Sequence, residues 1–408
     1  MRTFNLTVGV VLAASAAIGC VPEQGAPETN GISEGSAPAA ASENGLSSIN
    51  GLSSINGLSS INGLSSINGL SSINGLSSIN GLITTDGQMT MSYIIRCALP
   101  AGHSITMKDL SGNPLPPFAG QIGMAPEWET GACGKDCQEK VSACVLAHVN
   151  TSGKHIALWL DGADSALGWG RSANYPFQEG SFFGNIFTKT PVANFCNGVD
   201  FEYGVVPGRL GANQSGAPYT NPIGTNAQCG SGCTAGGGQA YPYNDGYTVC
   251  YGAGGTQYKH VVTVYRDFDS TTQYKICDND NKYCLTAANT TAGSQIVRSA
   301  YSASANQKWV ITQASSGQYK VINVGTGMAL DTAASSSAVG AKVVQATYTG
   351  SATQKFKFES VADGTGFFHF QPSPTTLNAI GAASGTNNIV IESWNWANDQ
   401  KYAVSVAQ

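Results

Sequence analysis

The sequence has little charge. Its 408 residues include 20 Lys and Arg and 25 Asp and Glu, so 11% of the chain is charged and the formal net charge is −5. A protein that binds nucleic acid neutralises the phosphate backbone with clustered basic side chains, and a sequence pI near 5.5 indicates no such surplus. Nucleic acid is therefore not predicted as a partner. The 50 glycines suit a loop-rich secreted β protein.

Near its N-terminus the chain also lacks the length of apolar sequence that a permanent membrane helix needs. The apolar run from Val8 to Ile18 follows Arg2 and is shorter than the roughly 20 residues that span a bilayer. A signal peptide over residues 1–20 is the economical interpretation. We therefore predict an exported protein.

The end of this segment, Ala17-Ile18-Gly19-Cys20, resembles a bacterial lipobox, although Ala17 stands where leucine is usual. The resemblance implies that Cys20 becomes the lipidated N-terminus of a lipoprotein at the bacterial outer membrane or cell surface. The membrane would then be a partner through the lipid anchor. The alternative is an ordinary signal peptide with an unrelated cysteine.

The cysteine count agrees with export. Of the eleven cysteines, ten remain without Cys20, an even number that suits five disulfides in an oxidising compartment. Two Cys-x3-Cys spacings leave zinc as an alternative, but zinc sites usually use Cys-x2-Cys pairs. We predict no metal and no cofactor. Eight of the ten lie in the middle of the chain: Cys97, Cys133, Cys137, Cys144, Cys196, Cys229, Cys233 and Cys250.

Two low-complexity segments follow the signal peptide. Residues 21–43 contain almost no bulky apolar groups, which predicts a disordered tether. Residues 44–83 repeat the hexapeptide Asn-Gly-Leu-Ser-Ser-Ile, whose apolar period of three fits neither a helix nor a strand. A flexible spacer is favoured. A short left-handed β-solenoid is the alternative, but it would have only about two turns, below the roughly three repeats that such stacks need.

Residues 84–272 are long enough for a core of their own, and their loops and cysteines predict a disulfide-bonded α+β or β-rich module. The module resembles only uncharacterised bacterial secreted proteins, so its function is unknown. The predicted elements are a strand at Tyr93–Cys97, a helix capped by Asp136 that ends near Val149, and strands at His155–Leu160 and His260–Tyr265.

Carboxylates in this module leave a hydrolase open. Glu127 and Glu129 flank Trp128, and residues two apart in an extended segment face the same side. Glycoside hydrolysis needs two carboxyl groups about 5 to 10 Å apart. Solvated loop carboxylates are the alternative, because nothing in the sequence fixes their geometry, and no catalytic residue is named. Further carboxyl candidates are Glu179, Asp161 and Asp200.

The last third of the chain, residues 273–408, consists of three sequence repeats. Each copy has four short β-branched or aromatic runs and closes on a glutamine, and the glutamines lie 47 and 46 residues apart. This period predicts a closed all-β array, and three copies favour a threefold barrel over a propeller of about four to eight blades. The closing residues are Gln307, Gln354 and Gln400.

These motifs carry a family resemblance. The three Gln-x-aromatic sequences and the Ala329-Leu330-Asp331-Thr332 step resemble ricin-type β-trefoil lectin domains. The resemblance covers about 135 of the 408 residues and implies an all-β trefoil of three repeats that binds glycans or polysaccharide. In the first repeat Cys277 and Cys284 flank one tight turn and are predicted to form a disulfide.

The resemblance also implies a sugar site, in which an aspartate accepts hydroxyl hydrogen bonds, a ring stacks on the sugar and the glutamine supports both. Only the second repeat keeps the aspartate, Asp331, while Thr286 and Asn378 replace it elsewhere. Three rings lie six residues before the glutamines, and the alternative is that this register faces the core. The candidate carbohydrate-binding residues are Asp331, Tyr348, Gln354, Asn306, Gln307, Tyr301, Asn378, Trp394 and Gln400.

These observations predict a secreted, lipid-anchored, lectin-like surface protein. One alternative is a glycan-active hydrolase in the middle module with an appended carbohydrate-binding trefoil. Another is a structural or adhesive envelope protein without sugar specificity, because a fold alone does not give a function.

Overall fold

The computed structural model places the described residues in one compact unit, Ser36–Gln408. The predicted signal peptide with Cys20, the tether up to residue 40 and the hexapeptide spacer from residue 45 lie outside the described residues. Within the described part of the chain, no helix is both long and apolar enough to cross a bilayer. The described residues are 41–44, 85–109, 111–149, 156–170, 172–188, 192–209, 228–236, 245–279, 282–361, 368–372 and 378–407.

The middle module is built on an antiparallel five-stranded sheet in the order β1-β4-β10-β5-β6. Its strands are Ala41–Asn44 (β1), Ser104–Ile105 (β2), Phe118–Ala119 (β3), Ile156–Asp161 (β4), Phe177–Asn185 (β5), Val192–Asn197 (β6), Cys233–Ala235 (β7), Tyr247–Tyr251 (β8), Gln257–Tyr258 (β9) and Val262–Arg266 (β10). Its helices are Thr85–Ala98 (α1), Lys135–Ala147 (α2), Val199–Glu202 (α3) and Cys229–Gly232 (α4), with 3-10 helices at Pro126–Glu129 and Ala253–Gly255.

Strand β5 lies at the centre of this module. All nine of its residues are buried. Two glycines let the neighbouring strand β6 come close. A Cβ at Gly180 would lie 2.3 Å from the carbonyl oxygen of Cys196, and one at Gly184 would lie 2.2 Å from that of Val192. Larger residues at these positions would push the two strands apart.

The prediction of a strand at Tyr93–Cys97 is wrong, because these residues belong to helix α1. Met91, Ile94, Ile95 and Ala98 are fully buried. Their spacing of three, four and seven residues is that of one helix face. The local β preference of the Tyr-Ile-Ile run gives way to this packing.

The predicted helix after Cys133 exists, but Asp136 does not cap it. Helix α2 begins at Lys135, with Gly134 as its N-cap two residues before the predicted one, and no side chain caps it. The helix ends at Ala147, two residues short of the prediction. A disulfide between Cys133 and Cys137 instead ties the preceding loop to the first turn.

Strands β4 and β10 confirm the two predicted strands, each with its start shifted by one or two residues. Strand β1 was not predicted. It pairs with the edge strand β4, from Ala41 opposite Trp159 to Asn44 opposite Ile156. The end of the predicted tether is therefore a strand, whose backbone pairs with groups that a sheet edge leaves without partners.

All ten cysteines of the described residues form disulfides, which confirms the prediction of a disulfide-bonded chain. The zinc alternative is wrong for these cysteines because every sulfur is bonded to another sulfur. The pairs are Cys97–Cys144, Cys133–Cys137, Cys196–Cys229, Cys233–Cys250 and Cys277–Cys284.

The C-terminal region repeats the order strand, strand, strand, 3-10 helix, strand. Its strands are Tyr274–Asp278 (β11), Tyr283–Ala287 (β12), Ile296–Ala300 (β13), Trp309–Ser315 (β14), Gln318–Asn323 (β15), Ala329–Thr332 (β16), Val343–Ala346 (β17), Phe356–Ser360 (β18), Phe368–Pro372 (β19), Asn378–Ala382 (β20), Ile389–Ser393 (β21) and Tyr402–Val406 (β22). The short 3-10 helices that precede β14, β18 and β22 are Ala305–Gln307, Ala352–Gln354 and Asn398–Gln400, and another, Ala333–Ser335, follows β16.

Six of these strands close into a barrel. The pairings run from β11 to β14, β15, β18, β19 and β22, and β22 pairs with β11 again. The other six strands form the hairpins β12–β13, β16–β17 and β20–β21. Single bridges join these hairpins to one another. A six-stranded barrel with three hairpins over one end is the β-trefoil arrangement that the sequence predicts.

Candidate functional site

The three closing glutamines hold matching loops. Gln307, Gln354 and Gln400 are all buried. In each repeat the Nε2 group donates to the backbone oxygen seven residues earlier, over 2.8–2.9 Å, and Oε1 accepts from the backbone amide five residues earlier, over 2.7–3.0 Å. A buried amide with both ends bonded is held rigidly. These glutamines are therefore supports that fix the loop.

A side-chain oxygen accompanies each glutamine, but its source differs. In the second repeat, Asp331 Oδ2 accepts from Gln354 Nε2 at 3.0 Å and Oδ1 accepts from the Thr332 amide at 2.7 Å. Asp331 retains 8% exposure. In the first repeat the acceptors are two hydroxyls, Thr286 Oγ1 at 3.1 Å and Ser299 Oγ at 3.0 Å from Gln307 Nε2. The second repeat thus presents a carboxylate where the first presents neutral oxygens.

In the third repeat the carboxylate comes from the opposite strand. Gln400 Nε2 donates to Glu392 Oε2 at 3.2 Å. A Cβ built on Gly381 would lie 2.6 Å from the same Oε2 atom. Burial raises the pKa of Glu392, and the hydrogen bond from Gln400 acts against that rise. Glu392 therefore fills the space above Gly381 that a β20 side chain would otherwise occupy.

This geometry corrects the alignment of Asn378 with Asp331. Leu330 and Ile380 are matching buried core residues, and the residues that follow them are Asp331 and Gly381. Asn378 lies three residues earlier and donates from Nδ2 to the Ser337 carbonyl at 3.0 Å. Sequence spacing missed this carboxylate because Glu392 on β21 supplies it, while β20 has Gly381 at the position of Asp331.

Asn306 holds the backbone. Its Nδ2 group donates to the Ala287 carbonyl at 3.1 Å, and its own carbonyl accepts from Asn323 Nδ2 at 2.9 Å. The residue is half-buried. Asn306 thus joins the loop to two strands.

The three candidate rings lie at the surface of the trefoil and outside its core. Tyr301, Tyr348 and Trp394 are half-buried. Lys275 Nζ lies 5.0 Å from the ring centre of Tyr301, and Lys320 Nζ lies at the same distance from Tyr348. These are cation–π distances, so each tyrosine ring has a lysine over one face.

The third repeat has a second tryptophan that sequence reasoning missed. Trp396 is 54% exposed, and its ring centre lies 5.2 Å from that of Trp394. Its φ angle is 69°, in the left-handed region that a bulky residue rarely adopts. The first and second repeats place Ala303 and Gly350 at the same distance from their glutamines, with φ of 58° and 79°. A pair of tryptophans, one exposed and one half-buried, therefore marks the third repeat.

Two of the middle module's candidate carboxylates flank Trp128. Glu127 and Glu129 lie on a 3-10 helix, which corrects the extended segment that was predicted. Glu129 Oε2 is 2.9 Å from His103 Nδ1. Trp128 between them is fully buried, so it offers no exposed platform.

The other three carboxylates have structural partners. Glu179 is buried and contacts Arg209 Nε at 2.8 Å and Arg266 Nη1 at 3.1 Å. Asp200 Oδ2 accepts from the Gln178 amide at 2.6 Å, and Asp161 Oδ2 accepts from the Gly170 amide at 3.3 Å. Buried charges of this kind are held by their partners, and the pairs fix the fold of the module.

Comparison with known protein families agrees with this geometry. The model for the ricin-type beta-trefoil lectin domain-like family matches residues 259–346 and 305–394. The two matches start 46 residues apart, close to the spacing of the closing glutamines. The C-terminal region is therefore a ricin-type β-trefoil lectin domain, which the family model matches over residues 259–394. No curated protein sequence matches the chain.

Several solved structures resemble this domain. ThreeFoil, a designed threefold-symmetric protein, is 23% identical over 33% of this chain and 97% of its own, with a TM-score of 0.31. An exo-β-1,3-galactanase from Clostridium thermocellum is 22% identical over 39% of this chain and 34% of its own, with a TM-score of 0.31. A ricin B-like lectin from Macrolepiota procera, solved with lactose, is 15% identical over 34% and 99%, with a TM-score of 0.29.

Proposed function

We propose that this protein binds carbohydrate through its C-terminal trefoil and that the second repeat carries the principal sugar site. One observation carries the proposal. In a domain of the ricin-type lectin family, Asp331 is an acceptor that Gln354 fixes and that keeps 8% exposure to solvent. Each carboxylate oxygen can accept more than one hydrogen bond, so sugar hydroxyls can add to the two protein donors. The ring of Tyr348 would pack on the apolar face of the sugar.

The test is a glycan array on the full chain, followed by calorimetry with the best ligand. The full chain is needed because Phe268, which precedes the predicted trefoil boundary, packs into the barrel. Hydrogen bonds to a charged acceptor contribute about 1.5 to 3 kcal/mol, so Asp331→Ala should weaken binding roughly ten- to a hundredfold. Asp331→Asn retains the shape and should lose less. Thr286→Ala in the first repeat is the matched control and should change affinity little.

Two results would contradict the assignment. One is affinity that is untouched by Asp331→Ala and abolished by Trp394→Ala, which places the site in the third repeat. The other is an array on which the folded chain binds no glycan, which favours a structural or adhesive envelope role. Tyr348→Ala should lower affinity without unfolding the protein, because its ring is only half-buried.

We further propose that the chain is an exported bacterial lipoprotein in which residues 1–20 are a signal peptide and Cys20 carries the lipid. The lipobox resemblance and the disulfide-bonded remainder support this proposal. Cys20→Ser should release the protein from membranes, since each buried methylene of an acyl chain contributes about 0.8 kcal/mol. Unchanged partitioning into the membrane fraction would contradict it.

In this proposal, the hexapeptide segment between strand β1 and residue 84 is a spacer, the remainder of the disulfide-bonded module lies at residues 84–272, and the three-repeat trefoil at residues 273–408 supplies the sugar contacts. A hydrolase screen on the full chain tests whether the middle module acts on the glycans that the trefoil binds.

A further inference from the structure

Three side chains of metal-binding type meet beside the first turns of helix α2. Asp136 and Glu139 lie three residues apart and share one face of the helix. His260 lies two residues before strand β10. One ligand atom from each of the three residues lies within 4.8 Å of the other two.

Glu139 is the unusual member of this group. Its side chain is 4% exposed, and its Oε1 atom accepts no hydrogen bond from the described residues. The cation beside it is Lys135 Nζ at 3.5 Å, on a side chain that is 73% exposed. A buried carboxylate whose ion-pair partner is an exposed lysine is costly unless a second cation occupies the space before it.

His260 provides a nitrogen ligand in the same space. Its Nε2 atom lies 3.8 Å from Asp136 Oδ1, which is too long for a hydrogen bond. Two ligands at about 2.0–2.2 Å from one zinc ion lie at a comparable separation from each other. The neutral imidazole is the form that binds metals.

We propose that Asp136, Glu139 and His260 bind a divalent transition metal of the zinc class. One imidazole nitrogen and two carboxylate oxygens fit zinc, whereas calcium and magnesium prefer oxygen ligands alone. Three protein ligands leave the fourth tetrahedral position for water or a ligand group. In the described residues, the other two groups of potential ligands consist of disulfide-bonded cysteines, with His148 beside one of them.

Two nearby lysines could compete with the metal for the carboxylates. Lys140 Nζ is neutralised by Asp164 Oδ2 at 2.9 Å. Lys135 contacts the same Glu139 oxygen that the metal would take. The ion must therefore displace Lys135, and Lys135→Gln should tighten binding roughly two- to fivefold, the effect of removing a surface ion pair. A purely structural role for Glu139 predicts no such gain.

The experiment is calorimetric titration of the full chain with ZnCl2, with CaCl2 as a comparison. The protein carries Cys20→Ser so that no free thiol competes. We expect one zinc per chain and no equivalent calcium binding. Glu139→Gln and His260→Ala should each weaken zinc binding roughly tenfold or more. His103→Ala is the matched control, because His103 pairs with Glu129 at 2.9 Å but belongs to no three-ligand group of the described residues.

Asp136→Asn keeps the test decisive if Glu139→Gln fails to fold. Asp136 has a side chain that is 86% exposed, so its replacement leaves the core intact, and it should also weaken zinc binding. Circular dichroism would verify the fold of each variant. Zinc binding that none of the three substitutions weakens, or no stoichiometric binding at all, would overturn the proposal. Calcium bound as tightly as zinc would overturn the assigned metal class.

Discussion

The middle module and the trefoil each have their own core, yet they differ in how the sequence encodes them. The trefoil core uses the same kind of residue at the same place in successive repeats, such as Tyr274, Tyr319 and Phe368 at the first strand of each. The core of the module, built from α1, α2 and the five-stranded sheet, has no such period. A repeat period predicts the fold from the sequence, whereas a core without a period becomes evident only from the packing in the structure.

The two regions are also less separate than their sequences indicate. The trefoil core includes Phe177, Val205, Val206 and Phe268, all of which precede the predicted boundary at residue 273. Phe268 lies 5.1 Å from Tyr274 and 5.3 Å from Tyr319, measured between ring centres. The packing boundary therefore lies within the module, and residues from strand β5 and from the segments after α3 and β10 complete the core of the barrel.

Replacement of Phe268 should have the largest effect, because it breaks the contact between the two regions. The ring is 7% exposed and also packs on Phe177 and Phe358 at 4.5 and 5.0 Å. A buried Phe→Ala change costs about 3–5 kcal/mol. Urea unfolding of Phe268→Ala should show this loss, and Tyr251→Ala, whose side chain is 43% exposed, is the control. A cost below about 1 kcal/mol would mean that the barrel does not need the module.

Because the trefoil sequence is repeated three times, its fold can be predicted well from the sequence, whereas the fold of the module is predicted poorly. Each predicted strand position in the trefoil rests on three copies, so chance patterns are filtered out. In the module, Tyr93–Cys97 has the composition of a strand but buries one helical face. Within the trefoil, prediction failed where the copies diverge. In the third repeat the carboxylate beside the closing glutamine comes from Glu392 on β21, and Gly381 on β20 leaves room for it. The contacts of Phe268 were also missed because they follow no period.

The disulfides offer a second test of the comparison. Cys97–Cys144 in the module closes a separation of 47 residues, and Cys277–Cys284 in the trefoil closes one of 7. The loop-entropy relation gives about 4 kcal/mol for the first and about 2.4 kcal/mol for the second. Paired Cys→Ala variants should differ in unfolding free energy by this margin. All four sulfurs are in buried residues, so packing losses are matched.

Equal costs for the two pairs would contradict this expectation. They would indicate that residual structure in the unfolded chain, rather than loop length, determines the contribution of each bond.

A third test uses pH at the junction of the two regions. Burial raises the pKa of Asp267 to about 6, although Tyr319 donates a hydrogen bond to it over 2.8 Å. The folded state therefore holds this proton more tightly than the unfolded chain. Its contribution, about 3 kcal/mol, is present below about pH 4 and lost as the pH rises through about 6.

Asp267→Asn should remove that part of the pH dependence. Unfolding free energies measured from pH 4 to 7 should fall less steeply in the variant than in the parent chain. The raised pKa values of Glu139 and Glu392 remain in both proteins and cancel in the difference. The exposed Glu127→Gln, which also replaces a carboxyl group with an amide, is the matched control. Parallel profiles for Asp267→Asn and the parent would contradict the assignment.

The smallest expected effect lies within the trefoil and tests its period. Four residues before each closing glutamine the backbone is left-handed, at Ala303, Gly350 and Trp396. Only the second repeat has the glycine that tolerates this conformation without cost. Ala303 is exposed, so Ala303→Gly removes strain without removing packing and should stabilise the protein by roughly 0.5–1 kcal/mol. Trp396→Gly removes the same strain together with an exposed ring. A loss of glycan affinity in Trp396→Gly alone would show that the third repeat retains its strain for binding, whereas equal stabilisation and unchanged affinity would make the tryptophan incidental.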